Sequence, residues 1–103
     1  MATLEELRRR APDLHSPEGH LLFARALEAA GRADEALAAY ARVAPTFPGP
    51  EPRVREARLL EQLGRRDQAR SIAEDVVRSL SRAPRHVQAN EREWFALARQ
   101  LAR

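Results

Sequence analysis

A chain of 103 residues has room for one small domain with one modest core. It is 44 % hydrophobic and 32 % charged, an ordinary globular composition, and with no cysteine it excludes disulfides and thiolate metal sites and points to a reducing cytoplasm. Eighteen basic residues, all arginine, stand against fifteen acidic ones; a net charge of +3 with the signs interspersed reads as a solvated surface, not as a footprint for DNA.

The first element follows Thr3, whose spacing to Glu6 is that of a capping box, with Leu4, Leu7 and Ala11 on one face until Pro12. No basic, apolar and small-residue leader opens the sequence, and its apolar runs of four or five residues are too short to span a bilayer. Ser16-Pro17-Glu18 is a second start signal: a capping hydroxyl, a proline pre-organised for the first helical position and an acid for the positive end of the dipole. Leu21, Phe23, Ala24, Leu27 and Ala30 carry that helix to Gly31. A third helix is expected over 33–44, with Ala36, Leu37, Tyr40 and Val43 on one stripe, before a turn rich in proline. A fourth runs from Glu51 to Leu63, a fifth from Asp67 to Ser81, and a sixth over 85–102 after Pro84. No segment alternates with period two, so no strand is expected.

Leu27 to Ala36, LEAAGRADEA, returns thirty-three positions later as LEQLGRRDQA, Leu60 to Ala69, with six of ten residues identical. Each copy ends a helix on a glycine and begins an antiparallel partner near an aspartate. Gly31 and Gly64 supply the positive φ of a tight turn, and Ala36 and Ala69 are small where two helices approach. One helical hairpin per thirty-three residues is the period of a helical solenoid.

At this point the sequence resembles the tetratricopeptide repeat family. In the first unit the matching residues are His20, Phe23, Ala24, Leu27, Gly31, Ala33, Ala36, Tyr40, Val43 and Pro48. In the second they are Arg53, Glu56, Ala57, Leu60, Gly64, Arg66, Ala69, Ala73, Val76 and Ser81, a degenerate copy without the aromatic and the proline and with Glu56 at a usually apolar site. Trp94-x-x-Leu97-Ala98-x-x-Leu101 matches the opening of a further unit. The resemblance implies a single all-α domain, a short right-handed solenoid of antiparallel hairpins: a flanking helix over 3–12, repeats over 17–48 and 50–82, and a C-terminal helix over 85–102. The stretches SPEGHLLFARALEAAGR, FPG, APRH and REW look like the C-terminal repeats of bacterial membrane-anchored proteins that combine such units with a phospholipase D-like N-terminal region. That likeness implies a C-terminal piece of a longer array or a short paralogue.

No catalytic constellation is legible, and no cofactor is implied. His15, His20 and His86 have no metal spacing, the four glycines form no phosphate loop, and Ser71, Ser79 and Ser81 have no nucleophile elbow. Neighbouring acids such as Glu5-Glu6, Asp34-Glu35 and Glu74-Asp75 point apart on a helix. The expected activity is therefore non-enzymatic.

The family resemblance implies a partner groove lined by the first helix of each unit. Its positions give Glu18, Leu21, Arg25 and Glu28, then Glu51, Val54, Arg58 and Glu61, then Arg92, Phe95 and Arg99. Leu21, Val54 and Phe95 make an apolar row, and Arg25, Arg58 and Arg99 a basic one suited to a peptide carrying carboxylates. The other reading of the same columns is that Arg25 with Glu28, and Arg58 with Glu61, neutralise each other on a solvated face. Trp94 is expected to pack inward against the fifth helix; Phe95 is either an exposed ligand anchor or packed beside the fourth helix. The family's clamp for C-terminal carboxylates needs lysine and asparagine where this chain has Leu21 and Arg25, so a chaperone-tail adaptor is not supported. The leading expectation is a scaffold for an unknown protein or peptide. The alternative is a homo-oligomer through exposed repeat ends, and nucleic acid comes third because aromatic residues are scarce and acids are interleaved.

Overall fold

The computed structural model describes residues 16–103; the helix expected over 3–12 lies outside them. The described residues form six helices and no strand: α1 Pro17–Ala29, α2 Ala33–Val43, α3 Glu51–Gln62, α4 Arg66–Ser81, α5 Arg85–Asn90 and α6 Arg92–Leu101. The chain divides into two compact units, one ending at Phe47 and the other beginning at Pro48.

In the first unit Ser16 caps α1, its backbone extended (φ −78°, ψ 153°) and its Oγ accepting the Gly19 N–H at 3.0 Å, with Pro17 in the first turn. The helix closes on Gly31 at φ 79°. There the Gly31 N–H donates to the Glu28 carbonyl and the Arg32 N–H to the Leu27 carbonyl, both at 3.0 Å. These are the two bonds of a Schellman turn. The antiparallel pair α1 and α2 buries Leu21, Ala24 and Leu27 against Ala36, Leu37, Tyr40 and Val43. Ala24 and Ala36 are fully buried, which suits close approach of the two axes. Tyr40 is fully buried too, and its hydroxyl donates to Glu28 Oε1 at 2.7 Å, so the ring fills the hairpin while its polar tip is satisfied.

The second unit repeats the turn. Gly64 stands at φ 82°, the Gly64 N–H donates to the Glu61 carbonyl at 3.0 Å, and the Arg65 N–H to the Leu60 carbonyl at 2.9 Å. Four of the six residues identical in the two copies, Leu, Glu, Gly and Arg, are thus the ones that make the Schellman bonds. The Ala36 N–H then donates to the Arg32 carbonyl, and the Ala69 N–H to the Arg65 carbonyl, as each second helix begins. A Cβ at either glycine would meet nothing within 4 Å, so the requirement is one of backbone conformation alone. Gly31→Ala and Gly64→Ala are each expected to cost about 1–2 kcal/mol, the price of a left-handed L residue. Urea unfolding of the single variants measures it, with Gly→Asn expected to lose less.

Val54, Ala57, Ala73, Val76, Leu80, Phe95, Ala98 and Leu101, from α3, α4 and α6, form the core of this unit. The single C-terminal helix expected over 85–102 is instead two, broken at Glu91 (φ −106°, ψ 23°). The run Gln88 to Glu93 contains no large apolar residue, and α5 buries none of its residues, so nothing ties the segment to one axis. The break lets α6 lay Phe95, Ala98 and Leu101 on α3 and α4. Gln88 secures the junction by donating from Nε2 to the Ala83 carbonyl at 3.0 Å.

Candidate functional site

Of the six residues expected to line a groove, Leu21 and Arg25 belong to the first unit and Val54, Arg58, Phe95 and Arg99 to the second. The apolar row requires correction. Val54 is fully buried and Phe95 is 7 % exposed, both inside the core of α3, α4 and α6, and Leu21 is also 7 % exposed. Their apolar surface is consumed by the fold and is not presented to a ligand.

The arginines are placed differently from one another. Arg25 and Arg99 are exposed, whereas Arg58 is half-buried with its Nε out of water. Arg99 lies with its guanidinium carbon 4.1 Å above the centre of the Phe95 ring, a cation–π contact that holds a long side chain in one pose. Glu28, expected to pair with Arg25, accepts the Tyr40 hydroxyl at 2.7 Å.

Ala24, Leu27, Ala36, Tyr40, Ala57, Leu60 and Ala69 are buried, and Gly31 and Gly64 have positive φ. Trp94 packs against the core cluster that includes Ala73, Val76 and Leu80 of α4. It is only half-buried at the edge of the core, and Arg55 from α3 sits 5.1 Å over its ring. Arg55 Nε also donates to Glu51 Oε2 at 2.8 Å, so Glu51, Arg55 and Trp94 pin α3 to α6. The four-residue spacing of Glu51 and Arg55 was a readable signal for the first of these bonds; the second depends on tertiary placement.

Further charged groups lie on α3 and α4. Arg53 Nη2 is 3.6 Å from Asp75 Oδ2, and Arg78 Nη2 is 3.3 Å from Asp75 Oδ1, while Arg53 Nε is buried without a hydrogen-bond partner. Burial raises the Glu56 carboxyl above its ordinary value of 4.5, against the opposing pull of Arg53. A raised carboxylate pKa means that the folded state binds the proton more tightly than the unfolded chain. Ionised Glu56 therefore weakens the fold above its folded pKa, and this effect disappears below 4.5. Glu56→Gln is expected to be more stable than the parent at pH 7 and equal to it near pH 4, read from urea midpoints at both. Glu56→Leu should gain about 1 kcal/mol more by half-burying an apolar side chain.

Among the described residues no group of three His, Asp or Glu could hold a metal ion, and no helix is long and apolar enough to cross a membrane. Comparison with known proteins returns no matching family model, no matching curated protein and no matching solved structure.

Proposed function

We propose that the chain is a non-enzymatic protein-interaction module of the tetratricopeptide kind, a short solenoid of helical hairpins that holds a partner protein on the first helix of its hairpins. The observation that supports this reading most is the twice-built turn. The same Schellman bonds close on Gly31 and Gly64, with alanines buried at equivalent places, Ala24 with Ala57 and Ala36 with Ala69. Hairpins of this kind offer extended surface and no enclosed chamber, which suits binding. With Leu21, Val54 and Phe95 buried, recognition falls to the polar side chains beside them, above all Arg25 and Arg99. Affinity capture from a bacterial lysate tests the reading. A protein retained by the parent chain and lost by a folded variant with Arg25, Arg58 and Arg99 changed to Glu supports it; a chain that retains nothing above an unrelated helical control sinks it.

A further inference from the structure

We infer that the solvent face of α6 is a docking strip for an acidic helix, with Arg99 as its fixed anchor; this rests on the reading of the chain as an interaction module and names the chemistry of the partner. Arg92, Arg99 and Arg103 are separated by seven and four residues. At 100° per residue they fall within about 40° of one another, spread over about 16 Å of axis. All three are exposed, as is Ala96 between them, while the core-facing stripe of α6, Phe95, Ala98 and Leu101, begins at Phe95 directly beside Arg99 and turns away from the arginines from there. Arg103 follows the helix end and continues its turn, its N–H donating to the Gln100 carbonyl at 3.4 Å.

Among the described residues no ion pair engages the strip. Arg32, Arg53, Arg55 and Arg78 engage Glu35, Asp75, Glu51 and Asp75 within 4 Å, and none of those pairs takes in Arg92, Arg99 or Arg103. Glu93, the one acid within α6, is about 100° away from Arg92 around the axis. Arg99 rests over the Phe95 ring, so a carboxylate can meet its N–H edge without displacing that contact. Carboxylates placed four and seven residues apart on a facing helix match the strip in pitch.

The aromatic residues argue for a protein partner over a nucleic acid. Base stacking needs open ring faces, but Phe95 is buried beneath Arg99, and Trp94 packs on the core beneath Arg55.

The test uses the full chain and a fluorescein-labelled alanine-based helical peptide with glutamates at the four- and seven-residue spacing, read by fluorescence anisotropy. A variant with Arg92, Arg99 and Arg103 changed to Gln is compared with one in which the exposed Arg66, Arg70 and Arg82 are changed to Gln, an equal change of net charge, with folding of both confirmed by circular dichroism. Each exposed pair is worth at most a few-fold, so the α6 variant should lose about tenfold in affinity and the other less than about threefold. Equal losses in the two variants overturn the strip. So do tighter binding of a single-stranded oligonucleotide, equal binding of a peptide with the same glutamates out of register, and failure of the parent chain to bind the acidic peptide. A lysate protein held equally by the parent and the α6 variant would leave the interaction module standing and remove the strip. Binding of the acidic peptide without any captured protein would do the reverse.

Discussion

Phe95→Ala should unfold in urea with about 3–5 kcal/mol less stability than the parent, the range for truncating a buried aromatic ring. The ring is 7 % exposed and belongs to the cluster that joins α3, α4 and α6, so its removal opens a cavity at the meeting of three helices. It also removes the platform on which the Arg99 guanidinium rests 4.1 Å away. Phe95→Leu keeps most of the volume and is expected to lose less than half as much. The experiment separates the two roles open to this residue. A ligand anchor could be truncated with little change in stability, whereas a core residue cannot, and an alanine variant as stable as the parent would refute the packing described for α6.

Tyr40→Ala is expected to destabilise the first unit by a similar amount, about 3–5 kcal/mol, because this fully buried ring fills the space between α1 and α2. Tyr40→Phe isolates the polar part. It retains the ring and deletes the hydroxyl that donates to Glu28 Oε1 at 2.7 Å. A hydrogen bond to a charged acceptor is worth about 1.5–3 kcal/mol when the acceptor is left unsatisfied. Glu28 is only half-buried and can recover water, so a loss of about 1–1.5 kcal/mol is expected. Urea unfolding of both variants, with Glu28→Gln as a third arm, checks the division.

The hairpins were the most legible part of the structure, for a local reason. A Schellman turn is specified within six residues, and the repeated Leu-Glu-x-x-Gly-Arg spells its donors, acceptors and left-handed position in order. The boundaries of α1 to α4 follow from equally local signals, such as Ser16-Pro17 at the first and Gly31 and Gly64 at the hairpin turns. The last helix was less readable. Trp94 and Phe95 are neighbours about 100° apart on α6, and either could face inward on local pattern. The choice falls to the break at Glu91, which sets the roll of α6 on α3 and α4, and neither helix is near in sequence. The same limit hid the burial of Val54 and the stacking of Arg55 on Trp94, both products of three-helix packing, and left open which of the two readings of Phe95 would hold. Of the basic row, Arg25 and Arg99 lie exposed and Arg58 is half-buried. The strain at Glu56 was foreshadowed by its place at a usually apolar repeat position.

Glu28 and Glu61 hold the same place in the repeated decamer, and the backbone carbonyl of each closes its own glycine turn. Their side chains do not share a fate. Thirty-three residues beyond Tyr40 stands Ala73, which has no hydroxyl to offer, and Glu61 projects from an exposed position. Evolutionary drift at residue 61 therefore meets only the preferences of a helix surface. At residue 28 a change strands a phenol in the middle of a hairpin unless residue 40 changes with it. A residue shared by both copies of the decamer can thus be bound to a distant neighbour in one and free of it in the other, and the pair 28 and 40 should covary where 61 and 73 do not.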